Sequence, residues 1–426
     1  MLELMNKLSL RKSSGSVDNP STNSSAPLCG RTRVLRPVLV LSIGFLAQTI
    51  PAQTWQTVDD FQYVSGQAAW NYGLCVTPSG TLFAAGIGND SAIGHALIMG
   101  SGDAGNSWSL PLDDFVYQGN TRSSYIGGIV TDGSGNLYAA GCAGVEIPNF
   151  ASRWVVRRSG DNGLTWSTVD DFSLGGSTIP YTIAADAAGN IYVVGQASNT
   201  WIVRKGVNGM SWSTVDSFGP NSGSAAFGVL VHPTAGVFVA GSSIVTSGRY
   251  SYNGWTVRRS LNGGATWQTV DTFQLGNNST AYGVGADTQG RLYVVGNAFE
   301  TIKGKTGSHW IVRRSSNGGA GSWVTVDDFQ PSSAGRALAR GFVADSLGNV
   351  YVAGLAAPDN LQDSAQWLVR KSVGATGAWS TVDNFKYAPG SDTVARAITA
   401  DAAGHVFVGG YGGDSNGVFH WLIRRF

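Results

Sequence analysis

The sequence predicts an all-β protein: a seven-bladed β-propeller of four-stranded antiparallel blades. Three observations lead there: a tryptophan-marked repeat of about 55 residues, a shortage of helix formers, and two chain ends that complement each other.

The repeat carries most of the weight, because self-similarity at a fixed period marks repeat architectures. The segment Thr54-Trp-Gln-Thr-Val-Asp-Asp-Phe61 returns in recognisable form along the chain. Its tryptophans are Trp55, Trp108, Trp166, Trp212, Trp267, Trp323 and Trp379, spaced 53, 58, 46, 55, 56 and 56 residues apart. A second signature, Trp-x-Val-Arg-Arg-Ser, carries Trp154, Trp201, Trp255, Trp310, Trp367 and Trp421, with Ala96 in the first unit. Of the 14 tryptophans only Trp70 stands outside both patterns.

Each unit divides into four strand-like runs, termed a to d from the axis outward. In one unit a is Tyr181-Thr-Ile-Ala-Ala, followed by the turn Asp186-Ala-Ala-Gly189. Strand b is Asn190-Ile-Tyr-Val-Val-Gly195, c is Trp201-Ile-Val-Arg-Lys205, and d is Ser211-Trp-Ser-Thr-Val-Asp-Ser-Phe218. Short runs rich in Val, Ile, Tyr and Trp between Gly, Asp and Asn are strand signals.

Composition agrees. The chain has 3 Glu, 7 Lys and 4 Met against 24 Asp, 21 Arg and 59 Gly, too few helix formers for long amphipathic helices. A helical bundle, a coiled coil and a large α/β enzyme are excluded on that ground.

Closure follows from the ends. The repeats open on a lone d strand, Thr54–Phe61, and end on an a-b-c set at Trp421–Phe426 that lacks one. The first run can complete the last blade. Seven units joined this way form a ring with only short, protected edges, whereas an open solenoid would need caps.

Residues 53–426 are therefore expected to form a single propeller domain. Residues 1–30 are polar and without apolar period, and read as disordered or as an over-long start. In residues 31–52, Arg31, Arg33 and Arg36 precede the apolar run Pro37–Ala47, and Ala52 offers a cleavage point. That is the pattern of a secretory signal peptide, with an apolar run too short for a membrane span. The mature chain would be secreted, periplasmic or at the cell surface, with no membrane insertion. It carries 22 basic and 25 acidic groups, which argues against nucleic acid, and it is expected to act as a monomer. Cys75 and Cys142 are its only cysteines, and whether they pair is left open by the sequence.

The c–d turns carry a motif. Ser159-Gly-Asp161-Asn-Gly163-Leu-Thr165-Trp166 resembles the Asp-box, or bacterial neuraminidase repeat; so do Ser101–Trp108 and, with Asn262 for Asp, Ser260–Trp267. The segment starting at Asp186 looks like the repeat of another bacterial propeller family and recurs at Asp132, Asp287, Asp345 and Asp401. The resemblance spans residues 54–426 and implies a sialidase-like propeller. In such families the motif is a hairpin staple on the face opposite the active site. It occurs in sialidases, other glycoside hydrolases, sorting receptors and a photosystem II assembly factor, so it implies fold more than activity.

Two sets of candidate residues follow. Counting back five from each turn Asp or its equivalent gives Tyr72, Gly127, Tyr181, Phe227, Tyr282, Arg340 and Arg396 at the entrance of strand a. Of these, Tyr72, Tyr181, Tyr282, Arg340 and Arg396 form a candidate ligand-binding ring, able to stack a sugar and hold a carboxylate. The sialidase resemblance implies a catalytic set: Arg340 and Arg396 with Arg122 or Arg336, Tyr282 with Glu300, and Asp90 as acid. The Arg-Ile-Pro signature of that family is missing, and mature Glu is limited to Glu146 and Glu300.

The repeated Arg pairs of strand c read as structural, stacking on the d-strand Trp. In that register Ser159 pairs with Thr165, which sets Arg158 opposite Trp166 and Trp154 opposite Asp170. No histidine or cysteine spacing suggests a metal, and no cofactor is expected. The expected function is a non-enzymatic binding module for a glycan or protein ligand. A sialidase-like glycoside hydrolase is the first alternative. A structural envelope protein is the second, favoured if the ring is wholly buried.

Overall fold

The computed structural model describes residues 54–426 apart from 120–121, 145–150, 220–222, 248, 303 and 360–364. The expected signal peptide, the polar start and Glu146 lie outside the described residues. The described chain forms seven four-stranded antiparallel sheets, one per repeat. Blades 1 to 6 span residues 69–115, 124–172, 178–218, 225–273, 278–329 and 336–385 in simple a-b-c-d order. Blade 7 takes strands a to c from residues 393–425 and its outer strand from Gln56–Phe61. Gln56 pairs with Arg425 and Phe61 with Trp421, so the two ends close the ring as the sequence implies.

The core lies between blades. Each c-strand tryptophan, Trp154 through Trp421, is at most 1% exposed. Its indole reaches a b-strand glycine of the next blade: Trp154 faces Gly195, Trp201 Gly241, Trp255 Gly296, Trp310 Gly354, Trp367 Gly410 and Trp421 Gly86. A Cβ at these glycines would fall 2.4–2.8 Å from the ring, so glycine here is required for close approach and not for a turn. Where blade 1 has Ala96 in place of Trp, the facing Gly141 is met by Ile126 of its own blade instead.

A second clamp joins blades nearer the rim. The first arginine of each c-strand pair reaches the d strand of the preceding blade. Arg157 meets Asp113, Arg204 Asp170, Arg258 Asp216, Arg313 Asp271, Arg370 Asp327 and Arg424 Asp383. Both nitrogens of the fork engage both carboxylate oxygens; Arg204 does so at 2.7 and 2.6 Å. The same guanidinium lies over the phenylalanine two residues beyond that aspartate, 4.1 Å from the Phe172 centroid for Arg204.

This corrects the expected Arg–Trp stacking. A β-bulge between Val156 and Arg157 shifts the hairpin, so Arg158 lies opposite Ser167 and Trp154 opposite Phe172. Arg158 instead donates to Tyr138 of strand b and to Asn136 just before it, at 3.1 and 2.9 Å.

The turns are held by their own side chains. Asp161 Oδ1 accepts from the Thr165 amide at 2.9 Å, and Ser159 Oγ accepts from the Gly163 amide at 2.9 Å. Asp186 accepts from the Ala188 and Asn190 amides at 2.9 and 2.8 Å, and Asp345 repeats the pattern. Asx side chains that satisfy turn amides account for much of the aspartate content. Cys75 and Cys142 are free and buried, and burial pushes the Cys75 thiol up to about 12.

Candidate functional site

A cavity of about 550 Å³ lies on the axis, walled by the seven a strands. Each a strand carries one β-bulge, and the bulged residue is the one counted back from the turn. Tyr72, Gly127, Tyr181, Phe227, Tyr282, Arg340 and Arg396 are the positions skipped in the a–b registers. A bulge re-aims its side chain, which brings all seven positions to one level in one cavity. Phe227 takes its place although its turn is built on His232 instead of Asp.

The ring sits within the strands and not at their entrance. Strands extend further toward the d–a loops than hydrophobicity alone indicates: the strand of Tyr181 begins at Thr178, and that of Arg340 at Arg336.

Aromatic rings line one side of the cavity. Tyr181 and Phe227 approach to 4.8 Å between centroids, Phe227 and Tyr282 to 5.1 Å. At Gly127 a Cβ would lie 3.0 Å from the Tyr181 carbonyl, and Tyr125 supplies that blade's ring, 5.8 Å from Tyr72. Neither Tyr125 nor Tyr411 is found by the counting rule, since Tyr125 precedes the bulge and Tyr411 lies on strand b.

The two arginines occupy the other side. Arg340 lies 5.3 Å from the Tyr282 centroid, and Arg396 lies 5.5 Å from those of Tyr72 and Tyr411. Arg396 Nη2 donates to the Tyr411 hydroxyl at 3.4 Å. The Nε atoms of both arginines are buried without a hydrogen-bond partner, and among the described residues no carboxylate lines the cavity. Burial, with the neighbouring Arg396 charge, lowers the Arg340 guanidinium to about 10. Burial also raises the Tyr72 hydroxyl to about 12. All of these side chains keep partial exposure to the cavity, so the ring is not wholly buried and the envelope-protein alternative loses its condition.

The remaining sialidase-type residues do not join them. Asp90 lies on the b–c loop of blade 1, where its Oδ1 accepts from the Ala92 and Ile93 amides at 2.6 and 2.7 Å. Those bonds hold its carboxyl below the usual range, the opposite of what a general acid needs. Glu300 stands on the long b–c hairpin of blade 5, 3.6 Å from His309 and apart from Tyr282. Arg336 pairs with Asp392 at 3.7 Å, and Arg122 packs against Gly144. Chain direction explains the separation: strand a faces the axis, while b–c hairpins rise outside it.

Those hairpins hold a recurring arrangement that sequence reading missed. His95 bridges Asp90 and Asp114 at 3.3 and 2.6 Å. His309 stands between Glu300 and Asp328 at 3.6 and 2.7 Å, and His420 between Asp414 and Asp60 at 3.9 and 2.6 Å. The signal was available: all three histidines lie one residue before the c-strand Trp or its Ala96 equivalent.

No family model matches the chain, and no curated protein matches it. Solved structures do. A fungal alcohol oxidase of the AA5 family, in complex with copper, has a TM-score of 0.53 at 13% identity, covering 88% of this chain and 76% of that one. A protein of unknown function from Dyadobacter fermentans scores 0.50 at 13%, covering 87% and 98%. The GH93 α-L-arabinofuranosidase of Fusarium graminearum, solved with arabinobiose, scores 0.50 at 11%, covering 87% and 97%. The likeness lies in the fold. It corrects the expectation of a non-enzymatic binding module, because a glycoside hydrolase is built on the same architecture over nearly its whole length. The glycoside-hydrolase alternative is the one carried forward.

Proposed function

We propose that the protein is an exported glycoside hydrolase that seats an acidic sugar residue in the axial cavity, its carboxylate on Arg340 and Arg396. One observation carries the reading: two neighbouring guanidinium groups set deep in an aromatic cavity that offers them no carboxylate. A largely buried charge without a counter-charge is costly, and an anionic ligand lowers that cost. Tyr181, Phe227 and Tyr282 present ring faces to the apolar side of a pyranose.

Hydrolysis needs one carboxyl group to protonate the leaving oxygen and a second carboxylate to attack or to activate water. In this reading both come from the loop face. Asp90 and Glu300 stand on blades 1 and 5 and outside the cavity wall, so neither is assigned a role. The Asp-box-like turns lie at the opposite end of the strands, consistent with a staple. The basic and apolar run of residues 31–52 supports export.

The test is release of 4-nitrophenol from α-sialoside, β-glucuronide and α-L-arabinofuranoside substrates. Turnover of an acidic glycoside is expected. Arg396→Ala should raise KM at least ten-fold, about 1.4 kcal/mol. Arg158→Ala, on the outer c strand, should leave KM alone. Binding without turnover of any acidic glycoside overturns the hydrolase reading. Turnover indifferent to Arg396 places the site elsewhere.

A further inference from the structure

The inter-blade arginine clamp is present at six interfaces and missing at the seventh, between blades 7 and 1. Asp59 is the d-strand aspartate there, paired with Ile423 as Asp170 is with Val156. The residue that should reach it is Met99, which faces Ala84 as Arg157 faces Ala139. Asp59 Oδ2 is buried without a hydrogen-bond partner. Phe61 holds the place over which the other six phenylalanines each carry a guanidinium, 4.0–4.7 Å from the centroid.

Blade 1 also leaves the place open. In five of the six complete clamps the arginine donates to a threonine of its own blade's outer strand, as Arg204 does to Thr214 at 3.2 Å. Blade 1 has Leu110 at that position, 86% exposed, and Pro111 adds a residue. The outer strand there is only Asp113–Phe115. A cleft of about 480 Å³ results, lined by Asp59, Phe61, Met99, Trp108 and Leu110 among others.

We propose that this cleft is a receptor for a guanidinium group, seated as the arginines of the other six interfaces are: bidentate on Asp59, with its face on Phe61. The molecule itself displays the fit six times. A planar fork matches the carboxylate and stacks on the ring, which a lysine ammonium cannot do. Nearby charges favour a cation. Asp60 adjoins Asp59, Arg424 is committed to Asp383, and Arg425 to the Ala104 carbonyl and Asn106. The source is either an arginine side chain of a partner protein or a free guanidino compound. The site is independent of the axial cavity.

The full chain is titrated with methylguanidinium, argininamide, an Ala-Arg-Ala peptide and methylammonium at millimolar concentration, reading Tm and the chemical shifts of the Met99 methyl. Guanidinium probes should raise Tm and shift Met99, and methylammonium should not. Asp59→Asn should weaken the response at least ten-fold. Met99→Arg should raise Tm unaided and abolish the response. A peptide response exceeding that of argininamide assigns the site to a partner side chain, and equal responses assign it to a small compound. An equal response to methylammonium, or one that survives Asp59→Asn, overturns the proposal. Should Met99→Arg fold poorly, the near-isosteric Asp59→Asn still decides.

Discussion

The indole of Trp154 lies so close to Gly195 of the following blade that a Cβ on that glycine would fall 2.8 Å from the ring and 2.1 Å from the Ile179 carbonyl. Neither neighbour can yield, since one is backbone and the other a fully buried tryptophan. Gly195→Ala should therefore destabilise the fold by about 1–3 kcal/mol, in the manner of an overpacked core. Urea midpoints measure it. An unchanged midpoint would show that the blades slide apart freely.

Arg204 and Asp170 test the rim clamp. Their side chains are 9% and 6% exposed, so removing one leaves a buried charge. Arg204→Ala should cost about 3–5 kcal/mol, and Arg204→Met with Asp170→Leu together much less. A double-mutant cycle by chemical denaturation reads the difference. Equal losses in single and double variants would mean that the pair contributes only packing.

Deleting residues 54–61 removes the outer strand of blade 7 and bares the strand Phe419–Arg425. Each blade packs on two neighbours, so the loss should lower Tm of the whole ring instead of melting one blade. Calorimetry distinguishes one shifted transition from two. An unshifted Tm would contradict closure as a stabilising device.

Asp59 gives the stability a pH dependence. Burial, with repulsion from Asp60, raises its carboxyl from 3.8 to about 7 in the folded protein. Between those values the folded state keeps a proton that the unfolded chain has released. Its contribution is complete below 3.8 and is lost as pH rises toward about 7. The slope is at most about 1.4 kcal/mol per pH unit. Tm should fall from pH 4.5 to pH 7 in the wild type, and Asp59→Asn should flatten that fall. An identical slope in the variant would assign it to other groups.

Much of this structure was legible in the chain because a repeat writes each rule several times. The c-strand tryptophans, the turn aspartates and the ring of Tyr72 to Arg396 could all be counted. The bulge that aims the ring inward coincides with the counted residue, although no propensity announces it. Register was less accessible: the bulge beside Arg157 moves the partner of Arg158 from Trp166 to Ser167 and that of Trp154 from Asp170 to Phe172, and a one-residue slip leaves no trace in composition. Least legible were Asp90 and Glu300, whose positions depend on where long hairpins rise. A family's catalytic pattern says nothing of that. Export and the start of the chain rest on sequence alone.

The closure strand also sets a timetable. Thr57 accepts from Arg424, a residue 367 positions later in the chain. At about 5–20 residues per second, roughly 20–70 s of synthesis separate the two partners. Throughout that interval residues 56–61 have no sheet to join, while blades 1 to 6 can each form from contiguous chain. Strand Phe419–Arg425 must be made before the first strand finds its place, so the nascent chain carries an unpaired strand until that segment emerges. A chaperone that shields extended segments would act on this end first.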